Sequence, residues 1–141
     1  MSSGNGTAAR DCDRCALIAL YAEYNRAIDT GEATTWADTF THDGVFEHPS
    51  ANFVGRQELE RFIRERTAKL GAHPCSHQRH WNDMLDIQLD GIRASGSCRL
   101  LVSGIRTDTN RPEVLATGRY TDELVKGENG WRFRRRRLKV D

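Results

Sequence analysis

The chain has 141 residues, with 21 Lys plus Arg against 20 Asp plus Glu and a formal net charge of +1. That length supports one domain around one core, and the even charge balance gives no general attraction to nucleic acid or to an anionic membrane. No apolar run approaches the ~18–20 residues that span a bilayer, and the opening MSSGNGTAAR lacks the apolar centre of a secretory signal. The expectation is a cytoplasmic protein with a loose polar tail over residues 1–12 and one domain over residues 13–141.

The first predicted helix runs from about Asp13 to Asp29. Leu17, Leu20, Tyr21, Tyr24 and Ile28 recur at helical spacing and form one apolar stripe. Asp29 falls on the flank of that stripe, beside Ile18 and Ala22. Gly31 follows as the residue that most easily takes the left-handed, helix-ending conformation. A carboxylate so placed is either a solvated helix end or an acid facing a pocket. Thr34 or Thr35 is the expected cap of a short second helix, with Asp38 completing a capping box and Trp36 and Phe40 on one face. Asp43-Gly44 reads as a turn, and Val45–His48 as a short strand ended by Pro49. From Arg56 to Leu70 the helical pattern returns, with Leu59, Phe62, Ile63 and Leu70 on one face and Gly71 closing it.

A connector over residues 71–76 leads into alternating segments. In the first, from His80 to Leu89, Leu85, Ile87 and Leu89 share a face, and Asp90-Gly91 is a tight-hairpin signal. Segments Ile92–Ser103, Val114–Val125 and Trp131–Val140 follow, separated by polar turns. Helices followed by a strand meander predict an α+β fold in which a curved, cone-shaped antiparallel sheet wraps three N-terminal helices. Such a sheet leaves a concavity suited to a small molecule. By strand parity His80 belongs with Asn82 and Met84, opposite Leu85, so it points inward only if a bulge intervenes near Trp81–Asn82.

Four cysteines occur. Cys12 and Cys15 form a single Cys-x-x-Cys with no second pair, and His73, Cys75 and His77 lie close in sequence. Structural zinc sites use two tight pairs, so no metal is expected here. The run RFRRRRLK, Arg132–Lys139, splits its cations between two strand faces and is not a single phosphate-tracking patch.

Several strings resemble the SnoaL-like family of the nuclear transport factor 2-like superfamily. They are Tyr24-x4-Asp29-x-Gly31, Trp36-x3-Phe40-x2-Asp43-Gly44, Gly55-Arg56, His80 ahead of Leu89-Asp90-Gly91, Gly118-Arg119-Tyr120 and Gly130-Trp131-Arg132-Phe133. The branch it looks most like contains scytalone dehydratase and the bile acid 7α-dehydratases. That resemblance implies a cofactor-free pocket with the acid at Asp29, the histidine at His80 and a tyrosine at Tyr24. It also implies an arginine from the last strand, matched by Arg136. It departs from the pattern at Met84, where many relatives carry asparagine.

Together these readings give Asp29, His80 and Tyr24 as candidate catalytic residues. Tyr120, Trp36, Phe40, His48, Met84 and Arg136 are the candidate ligand contacts. An imidazole near neutrality can take a proton from carbon and deliver one to oxygen, and a carboxylate on its other nitrogen fixes the tautomer. His77 is the alternative base. The expected activity is that of a cofactor-independent lyase or isomerase, a dehydratase or cyclase, on a small apolar oxygenated metabolite of polyketide or steroid type. The rival is a non-catalytic binding or assembly subunit of the same fold. The resemblance further implies a homodimer or homotrimer.

Overall fold

Alternating segments in the second half of the chain supply four strands of a six-stranded sheet, and two shorter strands come from the first half. The protein is described by a computed structural model covering residues 5–141, with side chains from Asp13 onward. The expected tail, residues 1–12, lies outside the fully described residues, as does the Cys12 side chain; Cys15 is exposed. The elements are α1 (Asn5–Thr30), α2 (Ala33–Asp38), β1 (Phe40–His48), β2 (Ala51–Val54), α3 (Gly55–Leu70), β3 (Cys75–Asp90), β4 (Arg93–Arg106), β5 (Pro112–Gly127) and β6 (Gly130–Val140). The strands lie in the order β2-β1-β6-β5-β4-β3. All pairings are antiparallel except β1 with β6, which is parallel. The sheet is curved but open, with β2 and β3 at its edges, so the architecture is the expected α+β wrap rather than a closed barrel.

The helices fill the concave side. Leu17, Tyr21, Tyr24 and Ile28 of α1 are buried against β3 and β6, and Leu59 and Ile63 of α3 complete the layer. Gly31 takes φ +74°, and a Cβ there would lie 2.9 Å from Thr67 Oγ1. Only glycine therefore both ends α1 and lets α3 come close. Among the described residues no helix is long and apolar enough to cross a membrane.

Local expectations fail where tertiary pairing overrides propensity. Thr34 and Thr35 lie inside α2, whose N-cap is Glu32 with no side-chain cap bond. Phe40 opens β1 rather than extending the helix. Asp43-Gly44 is not a turn but an irregularity inside β1, where the register to β6 slips between Phe40 and Val45. A Cβ at Gly44 would sit 2.8 Å from that of Phe40. The short edge strand β2 carried too few residues to announce itself. Ile92, expected to open the second strand of the meander, sits instead in the β3–β4 turn and is exposed.

One glycine sets a long-range contact. A Cβ at Gly96 would overlap the Tyr21 hydroxyl, which donates a 2.6 Å bond to Asp122 Oδ2. Gly96→Ala is therefore expected to destabilise the protein by about 1–3 kcal/mol through overpacking and loss of that bond. Gly127→Ala, with open space around it, should change stability by less than about 0.5 kcal/mol. Denaturant unfolding of the two variants checks this, and equal effects would refute the packing argument.

Candidate active site

Asp29 lies in the last turn of α1 and His80 near the middle of β3. The carboxylate receives three bonds from one residue. The His80 backbone N–H donates to Asp29 Oδ1 at 3.0 Å and Oδ2 at 3.2 Å, and the imidazole Nδ1 lies 2.7 Å from Oδ1. Because a carboxylate only accepts, Nδ1 carries the proton and Nε2 keeps its lone pair. Nε2 has no hydrogen-bond partner among the described residues. The His80 side chain is 7% exposed and that of Asp29 is 21% exposed, so water reaches the acid more readily than the base.

His80 faces inward because β3 carries two bulges. Its register to β4 slips between Ser76 and Arg79 and again between Asp83 and Asp86. Each slip adds one residue on β3 and reverses which side chains face the core. Gln78, His80 and Asn82 therefore point in, although Cys75 and Ile87, of opposite parity, are also buried. The bulge falls at Met84 (φ +52°), two residues beyond the place anticipated. Its consequence corrects two expectations. Met84 is 70% exposed and Leu85 38% exposed, so neither lines the interior. His77, at the other bulge with φ +51°, is exposed and has its Nδ1 2.8 Å from the Ser76 hydroxyl; it is removed from the dyad.

Behind the dyad lies a buried polar cluster. Arg136 faces inward because β6 carries an extra residue, Arg134, opposite β5, between the pairs Phe133–Leu124 and Arg135–Glu123. Its guanidinium stands 3.5 Å over the Tyr120 ring and 4.2 Å over that of Tyr24. Its Nε donates to Asp122 Oδ1 at 3.0 Å. Its Nη1 is buried without a partner, as is the Tyr24 hydroxyl. Burial raises the Tyr24 and Tyr120 pKa values, keeping both as neutral donors, and pushes the Cys98 thiol up to about 11. Two unpartnered buried donors side by side are the kind of exception that marks a functional position.

The other predicted contacts divide. Trp36, Phe40 and Tyr120 are buried with Tyr24 in an aromatic cluster whose neighbouring ring centroids lie 5.0–6.1 Å apart. The rings expected as walls of an open hollow thus pack on one another. His48 lies at the β1–β2 turn, where its Nδ1 accepts from the Ser50 backbone N–H at 3.1 Å; nothing brings it to the dyad. Surface clefts occur elsewhere. One of about 590 Å³ is lined by Trp81, Asp83, Arg99 and Thr117, and one of about 320 Å³ by Leu89, Ala94, Leu124 and Arg134. Neither touches Asp29 or His80. His73 Nδ1 accepts from the Cys75 N–H at 2.9 Å, and no three metal-ligating side chains gather among the described residues.

Sequence reasoning missed two neighbours. Asn25, one helical turn before Asp29, donates to Asn82 Oδ1 at 2.7 Å, and its own Oδ1 is buried without a partner. Arg66 of α3 donates to Ile28 O at 3.3 Å and to Gln78 Oε1 at 3.2 Å. The available signals were spacings: Asn25 stands at i−4 from Asp29, and Arg66 stands at i+4 from Phe62 on the apolar face. The run of arginines has lost its ambiguity. Arg135 and Arg137 pair outward with Glu47 while Arg136 turns in.

Burial pulls the His80 pKa below its usual 6.5, the Asp29 hydrogen bond opposes that, and Arg66 and Arg136 add to the lowering. The unfolded imidazole binds its proton near 6.5, and the folded one only at lower pH. Acidification through that window therefore favours the unfolded chain. The free energy of unfolding is expected to fall as pH drops below 6.5, and His80→Gln should lose that part of the dependence. Parallel pH profiles for wild type and variant would contradict the assignment.

The chain's relatives agree with this architecture. A model of the SnoaL-like domain matches residues 10–137. Rv3472 of Mycobacterium tuberculosis, a protein of unknown function, is 27% identical with TM-score 0.85, covering 99% of this chain and 78% of its own. A Novosphingobium aromaticivorans protein described as NTF2-like with a cystatin-like fold is 22% identical with TM-score 0.84, covering 99% and 91%, a likeness of fold alone. A Catenulispora acidiphila protein solved in complex with S-DNPA is 28% identical with TM-score 0.78, covering 95% of each chain. No curated protein matches. By the match along nearly its whole length, the chain belongs to the SnoaL-like domain family and has the nuclear transport factor 2-like fold.

Proposed function

We propose that the protein is a cofactor-independent lyase or isomerase, a dehydratase or cyclase acting on a small oxygenated molecule of polyketide or steroid type. The observation that carries this reading is the 2.7 Å contact between Asp29 and His80 Nδ1, which leaves Nε2 as a neutral base in a largely buried setting. His80 takes a proton from the carbon next to a substrate carbonyl. The electron pair moves onto the carbonyl oxygen, and the enolate is stabilised by a donor already in place. The unpartnered Tyr24 hydroxyl and Arg136 Nη1 are suited to that task. The imidazolium, held by Asp29, then returns its proton to the departing β-hydroxyl, which leaves as water while the enolate collapses to the conjugated carbonyl. Reprotonation at another carbon instead gives isomerisation.

Binding requires the aromatic cluster to part, because Tyr24, Trp36, Phe40 and Tyr120 occupy the space a flat substrate would enter. That packing is also what supports the rival, a non-catalytic binding or assembly subunit. Turnover separates the two. Across a panel of fused-ring β-hydroxy ketones, the wild type is expected to eliminate water from at least one. His80→Ala and Asp29→Asn should each slow it by roughly 10²–10⁴-fold, with circular dichroism unchanged. A substrate turned over equally by both variants would remove the dyad from the mechanism, and no elimination from any member would favour the subunit reading.

A further inference from the structure

Arg66 has a place in the molecule that the proposed acid–base chemistry does not use. It projects from α3 on the side that meets the end of α1 and the inner face of β3, and its side chain is mostly buried. Nη1 is 3.3 Å from the carbonyl of Ile28, the residue before Asp29, and Nη2 is 3.2 Å from Oε1 of Gln78, which shares the inner face of β3 with His80 two residues on. The guanidinium therefore sits beside the dyad. Both of its partners are neutral.

No carboxylate among the described residues is in ion-pair contact with it, and Asp29 acts on its charge only from beyond that distance. Arg56, Arg61 and Arg64 on the same helix each pair with a carboxylate, whereas Arg66 makes no ion pair among the described residues. Asp29 is the acid whose charge acts on it, but both of its oxygens already accept from His80. A cation taken largely out of water without an anion is costly, and the cost is normally relieved by a partner. Two of its five N–H donors are used, one on each terminal nitrogen, which leaves three, Nε–H among them, for a further acceptor.

We propose that Arg66 receives a carboxylate of the substrate, so that the molecule acted on by this chain is an organic acid whose ring system lies beside His80. This rests on the reading of the Asp29–His80 dyad as the reacting centre. The carboxylate anchors one end of the substrate at the α1–α3–β3 junction, where Gly31 lets α3 approach. The carbonyl end then extends toward Tyr24 and the free Nη1 of Arg136. Arg66 would thus set specificity and position rather than transfer protons.

The probes are 2-naphthoate and its uncharged isostere 2-naphthamide, titrated calorimetrically into the wild type, Arg66→Gln, Arg66→Lys and His80→Ala. Charge-assisted bonding predicts that the wild type binds the acid roughly 10- to 100-fold more tightly than the amide. Arg66→Gln should abolish that preference while keeping the amide affinity, Arg66→Lys should keep part of it, and His80→Ala should keep all of it. Equal affinity of the wild type for both probes, or no binding of either, overturns the proposal without reference to any variant's folding. Because His80→Ala reports on turnover and Arg66→Gln on acid preference, the dyad and the anchor fail separately.

Discussion

The structure depends on one carboxylate holding both the backbone and the ring of one histidine. Asp29 accepts from the His80 N–H with both oxygens and from Nδ1 with one. This ties the end of α1 to an edge strand at a point where the strand's own ladder is flanked by bulges. The same contact fixes the tautomer, so a feature that docks helix on sheet also prepares the imidazole. Truncating the acid would free the ring and leave a backbone donor without its partner, whereas Asp29→Asn keeps an acceptor for the backbone N–H and removes only the charge.

The interior is organised by breaks in strand phase. Two bulges make Gln78, His80 and Asn82 of β3 an island of inward-facing polar groups inside a strand whose remaining core contacts have the opposite parity. One further residue on β6 turns Arg136 inward against Tyr120, Tyr24 and Asp122. Without the slips, the parity of Ile87 would turn Trp81 and Asp83 inward on β3, and that of Phe133 would turn Arg135 inward on β6. The bulges therefore convert a hydrophobic wrap into one with a polar seam running from Asp29 through His80 to Arg136, at the cost of left-handed backbone at His77 and Met84.

The fold class, the helix stop at Gly31, the hairpin at Asp90-Gly91 and the meander were all legible, since each rests on local pattern or turn chemistry. So were Asp29 and His80, although strand parity pointed His80 outward and only the resemblance, or a bulge, placed it inside. Met84 was misread because the residue that creates a bulge is the one the bulge expels. The Asp43-Gly44 pair deceived for a related reason: its glycine answers to the close approach of Phe40, not to a turn. Arg66 and Asn25 were hidden because a polar residue on an apolar helix face looks like noise until its neighbours are known. The parallel β1–β6 pairing joins segments far apart in sequence and leaves no local trace.

His80 is a neutral imidazole with its proton on Nδ1, donated in a hydrogen bond to Asp29, and a bare Nε2. Long-range ¹H–¹⁵N NMR on histidine-labelled protein at pH 7 reads this directly. The expected spectrum shows a protonated Nδ1 and an Nε2 resonance of unprotonated, pyridine type for His80, with that pattern lost in Asp29→Asn. A proton on Nε2, or a ring averaging rapidly between tautomers as a solvent-exposed histidine does, would contradict it.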